Sequence, residues 1–195
     1  RQDREFCFNL TNAKKHSGIK IDGQNSEWGA GEVMTVERPD QVTSNAAQWE
    51  GPQAMSMRMR LGYDEENIYL LAEAINHNFR RALPGGQMWS KDSFELFFDT
   101  DLSDISDSAK NGDDLQIVFG PKGGGYSSAD VYSMNIAQDS IKFATSEAKD
   151  DYIGEIAIKR ESLNLTGENR LIRFDVNINK LGKMDQRVIM SWSGS

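Results

Sequence analysis

The chain has 195 residues, 38% hydrophobic and 27% charged, enough to bury one core and keep a solvated exterior as a single domain over 1–195. Its 30 acidic residues outweigh its 22 basic ones, and the net charge of −8 argues against a nucleic-acid partner; the densest basic features are the pairs Lys14-Lys15 and Arg80-Arg81. No run of about eighteen apolar residues exists, so no helix spans a membrane.

A lone cysteine, Cys7, excludes an intrachain disulfide and leaves the compartment open. The chain opens on Arg1 instead of methionine, and a processed N-terminus with its signal peptide removed is expected.

Short runs of period-two alternation dominate the chain, the pattern of strands with one buried face. Met55 to Leu61 places Met55, Met57, Met59 and Leu61 on one parity. The stretch Tyr63-Asp64-Glu65-Glu66-Asn67 suits a hairpin turn, and Asn67 to Ile75 reads as a central strand. Phe94, Leu96 and Phe98 share one face of the next run, as do Leu115, Ile117 and Phe119 of the one after it. Ile172 to Ile178 alternates most cleanly, and Val188, Met190 and Trp192 close the series. Pro84-Gly85-Gly86, Asn111-Gly112-Asp113 and Gly123-Gly124-Gly125 mark loops, and no long helical period is present. The expectation is an all-β, antiparallel β-sandwich of jelly-roll or immunoglobulin type, with about nine to eleven strands.

Three phrases carry a resemblance. The first is Ile19-Lys20-Ile21-Asp22-Gly23 with Glu27-Trp28. The second is Leu61 to Leu70, centred on Tyr63-Asp64-Glu65-Glu66-Asn67. The third is Trp89-Ser90-Lys91-Asp92-Ser93-Phe94-Glu95-Leu96-Phe97-Phe98-Asp99. Weaker echoes follow at Gly154 to Ile158, Phe174 to Asn177 and Arg187 to Trp192. In this order they resemble the family 9 carbohydrate-binding modules, part of a DOMON-like β-sandwich superfamily.

The resemblance implies a non-catalytic sandwich that grips a sugar between aromatic rings. Trp89 matches one of the family's stacking tryptophans, and Glu95 matches a carboxylate that hydrogen-bonds sugar hydroxyls. The family's ligand arginine falls at Val118. The second stacking tryptophan has no counterpart after Trp192, which leaves Trp49 or a tyrosine such as Tyr132 as substitutes. Structural calcium is also implied, with Asp22 as a ligand at the opening turn. The acidic stretch from Asp99 through Asp101, Asp104, Asp107, Asp113 and Asp114 offers oxygen donors as well. The resemblance further implies a secreted, periplasmic or cell-surface bacterial setting and fusion to catalytic or other domains.

The chemistry suits a sugar. An indole plane matches the apolar face of a pyranose, while carboxylates and amides match its hydroxyl rim. If Phe94, Leu96 and Phe98 face the core, Glu95 faces away from it. Gln116, Arg173 and Asn177 are out of phase with their apolar neighbours in the same way. Trp89, Glu95, Gln116, Arg173 and Asn177 therefore form the expected ligand-binding set, against the plainer reading of a solvated sheet face. Trp28 and Trp192 are expected in the core.

Enzyme readings lack parts. His16 and His77 stand in no metal or triad spacing, and Glu95 and Asp92 fall on opposite faces of one strand, which argues against a glycosidase pair. One alternative is a haem-binding electron-transfer domain of the related sandwich type using His77 and Met88. Against it, Met55, Met57 and Met59 read as core fillers. A second alternative is an adhesion or scaffold module with a degenerate sugar site.

Overall fold

The alternating runs pair into two sheets packed face to face. The computed structural model describes residues 11, 13–76, 88–100, 114–120, 131–147, 151–165, 172–182 and 186–194. Among them are twelve strands, or eleven once the two-residue β1 is set aside. They are β1 (Lys14–Lys15), β2 (Met34–Val36), β3 (Val42–Ser44), β4 (Met55–Tyr63), β5 (Asn67–Asn76) and β6 (Ser93–Asp99). The rest are β7 (Asp114–Phe119), β8 (Val131–Met134), β9 (Ile141–Glu147), β10 (Asp151–Lys159), β11 (Arg173–Leu181) and β12 (Arg187–Ser191). The described helical pieces are single 3-10 turns.

The first sheet runs β1-β4-β5-β10-β9, with β2 also paired to β4; the second runs β3-β12-β11-β6-β7-β8. The β1–β4 pair is parallel, and the remaining pairs are antiparallel. Each run expected from alternation becomes a strand.

The core forms where the alternating faces meet. Met57, Met59, Leu70, Ala72 and Ile156 of the first sheet share one apolar cluster with Phe94, Leu96, Ile117, Phe119 and Ile178 of the second. The three methionines of β4 are fully buried there, as core fillers. At Gly154 the two sheets lie in close contact. A Cβ built on it would lie 2.6 Å from Phe119 and 2.8 Å from Phe94, so β10 carries glycine where two rings press against its backbone. The Phe94 ring also lies 4.9 Å from that of Tyr152.

The β4–β5 hairpin closes on Asp64. Its carboxylate accepts the N–H groups of Glu66 at 2.8 Å and Asn67 at 2.7 Å, and the Tyr69 hydroxyl at 2.6 Å. Burial pushes this carboxyl up, but the three donors prevail and hold it below the usual range. Burial, reinforced by Asp64, raises the Tyr69 phenol to about 12.

The opening phrase covers the outer face of the first sheet. Glu155 of β10 points outward, yet its residue is 0% exposed. Its carboxylate accepts the backbone N–H groups of Asp22 (3.0 Å), Gly23 (2.7 Å) and Gln24 (3.2 Å), and the Trp28 indole N–H (2.7 Å). Trp28, 1% exposed, completes a small cluster with Tyr69, Leu71 and Ala157. Gly23 adopts φ +81°, and a Cβ there would stand 2.9 Å from the Thr145 carbonyl carbon, so the turn requires glycine. The expected core role of Trp28 therefore has a physical cause: one buried carboxylate ties the phrase to β10.

Candidate functional site

The outer face of the second sheet is built differently. Its register places side chains in rows across the strands. Ser191 of β12, Asn177 of β11, Glu95 of β6 and Val118 of β7 form one row. Asn179 and Ser93 form the row on one side of it. Asp175, Phe97 and Gln116 form the row on the other. Arg173, Asp99 and Asp114 stand one row farther.

Glu95 is the centre of this lattice. It is only 6% exposed, although it faces away from the core. Gln116 Nε2 donates to its Oε1, and Asn179 Nδ2 donates to its Oε2 at 3.1 Å and to Ser93 Oγ at 3.2 Å. The carboxylate is thus fixed in direction by two amides while each oxygen keeps a second lone pair for another donor. Asn177 is the direct cross-strand neighbour of Glu95.

Trp89 lies in the 3-10 turn Met88–Ser90 just before β6. It is 41% exposed, one of the few large apolar side chains on the surface among the described residues. The Arg187 guanidinium carbon sits 4.7 Å from the centre of its ring, and Arg187 Nη1 donates to the Trp89 carbonyl at 2.8 Å. Met88, the preceding residue, is buried against Val118. The position where a ligand arginine was expected therefore holds an apolar contact that seats the turn carrying Trp89.

The predicted set is partly assembled. Glu95 and Gln116 are hydrogen-bonded, and Asn177 adjoins Glu95. Arg173 is on the same face but pairs with Asp99, four residues from Glu95 along β6. Asn179 and Ser93 complete the Glu95 cluster and were not singled out in the sequence. The signal for Asn179 was present, because it shares the parity of Arg173 and Asn177 along β11.

Other candidates have structural work. Trp49 is partly buried against the main core and donates its indole N–H to the Met55 carbonyl at 3.0 Å. The side chain of Tyr132 lies outside the described residues, as does His77. Trp192 packs against the core beside Phe174, as expected. Asp92 precedes β6, is fully buried and accepts the Leu181 N–H at 2.9 Å, which ties the end of β11. Nearby Lys180 is half-buried and donates to the Ala54 carbonyl; burial lowers its ammonium, with Asp92 and Glu50 pulling the other way.

Asp22 was expected as a calcium ligand. Its Oδ1 accepts the Gln24 N–H at 3.0 Å in a local turn. The carboxylate beside that turn, Glu155, is already surrounded by N–H donors, a poor setting for a cation. Among the described residues there is no group of three or more His, Cys, Asp or Glu side chains placed to hold a metal ion. Residues 101–113 of the acidic stretch lie outside them. No described helix is long and apolar enough to cross a membrane.

Comparison with known proteins bears on the fold and the family. A carbohydrate-binding module of family 9 from Caldicellulosiruptor kristjanssonii, solved in complex with cellotriose, superposes with a TM-score of 0.67 at 16% identity. The match covers 92% of this chain and 82% of that one. A module of the same family and organism in complex with glucose gives 0.64 at 16% identity, over 91% and 83% of the two chains. These likenesses establish the sandwich fold. A search of curated proteins finds no match. The family model described as carbohydrate family 9 binding domain-like matches residues 21–195, nearly the whole chain, and the protein belongs to that family.

Proposed function

We propose that this chain is a non-catalytic carbohydrate-binding module whose sugar lies on the outer face of the second sheet. Trp89 stacks on a pyranose ring, while Glu95, Gln116 and Asn177 exchange hydrogen bonds with its hydroxyls. Asn179 holds Glu95 in place. The observation that carries this reading is Glu95: a carboxylate on an outward sheet face, oriented by two amides and followed at its rim by an exposed indole. Such a network holds the carboxylate in a fixed direction toward an arriving hydroxyl.

Arg187 holds one side of the Trp89 ring, so the sugar takes the other. Trp89 is the one aromatic ring that this reading assigns to the sugar. The same reading makes the chain a targeting module of a larger bacterial protein, secreted, periplasmic or displayed at the cell surface, with polysaccharide as its partner. Structural calcium, with Asp22 as a ligand, belongs to the same reading.

Glucose and cellotriose, the ligands in the two related structures, are the first probes. Calorimetric titration of Trp89→Ala is expected to show sugar binding weakened by about 1–3 kcal/mol with the thermal midpoint unchanged. Unaltered affinity in that variant would remove Trp89 from the site.

A further inference from the structure

Core packing covers only part of the Trp89 side chain, which is 41% exposed. An indole in that setting has more than one rotamer open to it. A ring that receives a ligand binds more tightly when it is ordered in advance, because the cost of ordering it then falls on folding and not on binding.

One residue contacts Trp89 at both its backbone and its ring. Arg187 Nη1 donates to the Trp89 carbonyl, which fixes the turn, and the guanidinium carbon lies 4.7 Å from the ring centre, which fixes the side chain. A flat guanidinium fork can lie over an indole and donate to a carbonyl together, whereas an ammonium is a compact point charge. Among the described residues no carboxylate pairs with Arg187, so its charge is left to the indole.

Arg187 is itself anchored. It is the first residue of β12 and stands opposite Leu181 of β11. Its carbonyl accepts from Asn45 Nδ2 at 2.6 Å, and the hairpin before it closes from the Gly182 N–H to the Gln186 carbonyl at 2.8 Å. On the other flank Met88, 1% exposed, packs on Val118 of β7. In the sheet order β12-β11-β6-β7 these two supports lie on either side of β11 and β6, so the turn that carries Trp89 is held from both flanks.

We infer that Arg187 is a positioning residue for sugar binding: it holds the Trp89 indole in the orientation that receives the sugar and touches no sugar itself. This rests on the stacking role proposed above for Trp89. The register keeps Arg187 away from the hydroxyl-binding row. Along β12 it is four residues from Ser191, which shares the row of Asn177 and Glu95, about 13 Å at the rise of a strand.

The test is calorimetric titration with glucose, a single ring, of wild type, Arg187→Met, Arg187→Lys, Trp89→Ala and the Arg187→Met, Trp89→Ala double variant. Arg187→Met keeps an unbranched apolar stem and removes the cation and the donor. It is expected to weaken glucose binding about two- to fivefold, the fold-change that corresponds to about 0.5–1 kcal/mol for an exposed cation over an indole. Arg187→Lys should recover part of the loss, and in the Trp89→Ala background Arg187→Met should change Kd no further. Labelling with 5-fluorotryptophan gives a reading without sugar. Of the four indole signals, the one absent in Trp89→Ala should shift and broaden in Arg187→Met while the others stay in place. Wild-type affinity in Arg187→Met, or an unmoved Trp89 signal, with Trp89→Ala weakened, would overturn the role of Arg187 and leave that of Trp89 standing. Equal weakening by Arg187→Met with and without the indole would also overturn it, since Arg187 would then act on the sugar directly. Full affinity in Trp89→Ala, or no glucose binding by wild type, would remove the stacking role and this inference with it.

Discussion

Replacing Glu155 by alanine is expected to lower the unfolding free energy by about 3–5 kcal/mol, the range for stripping one partner from a buried charged network. The four N–H groups that converge on this carboxylate come from Asp22, Gly23, Gln24 and Trp28. Without it the Gly23 and Trp28 donors remain buried with no acceptor, those of Asp22 and Gln24 lose theirs at a half-buried edge, and the segment that covers the outer face of the first sheet loses its anchor. Glu155→Gln should fall between wild type and alanine, since a glutamine oxygen still accepts on one side while its amide confronts a donor on the other. Urea denaturation followed by tryptophan fluorescence checks the order. Midpoints that coincide for all three proteins would show that the opening phrase is held by its apolar contacts alone.

The second large effect falls on binding. Glu95→Ala is expected to weaken the sugar complex by about 1.5–3 kcal/mol, the worth of a hydrogen bond to a charged group, or roughly ten- to hundredfold in Kd. Two losses combine there. The ligand loses a charged acceptor, and Gln116 and Asn179 lose the group that orders them. The dissociation constant is the quantity to follow, because any unfolded fraction lowers the stoichiometry and leaves Kd unchanged. An unchanged Kd would mean that Glu95 is a structural carboxylate like Glu155 and that the ligand lies elsewhere.

The contrast between these two glutamates explains what could be read in the sequence. Both are outward-facing residues on alternating strands, and parity alone does not separate them. Alternation was enough to locate β4, β5, β6, β7, β11 and β12, because their buried residues are large and strictly spaced. The edge pieces β2, β3 and β8 are three or four residues long, too short for a period to declare itself. β9 shows Ile141 and Phe143 on one parity but buries them only in part.

At the site, the motif phrases identified Trp89 and Glu95, and parity added Gln116, Asn177 and Arg173. The sequence did not reveal that Arg173 stands two rows from Glu95, nor that Asn179 is its amide partner. Those facts depend on the cross-strand register, which local pattern does not encode. The partners of Trp49 were hidden for a similar reason. Trp49, just after the 3-10 turn Ala46–Gln48, looks free in the sequence, and only the fold brings its N–H to the Met55 carbonyl. At Val118, where the resemblance led to the expectation of an arginine, the fold has an apolar contact with Met88 in the turn that carries Trp89.

The central claim is that carbohydrate is held on the outer face of the second sheet and not on that of the first. Backbone amide shifts followed by NMR during a cellotriose titration test it most directly. Perturbations should concentrate at Trp89, Glu95, Phe97, Gln116 and Asn177 and spare Arg58, Glu73 and Ile75 on the opposite side of the sandwich. Shifts confined to those three residues and their neighbours, with β6, β7 and β11 unmoved, would contradict the account.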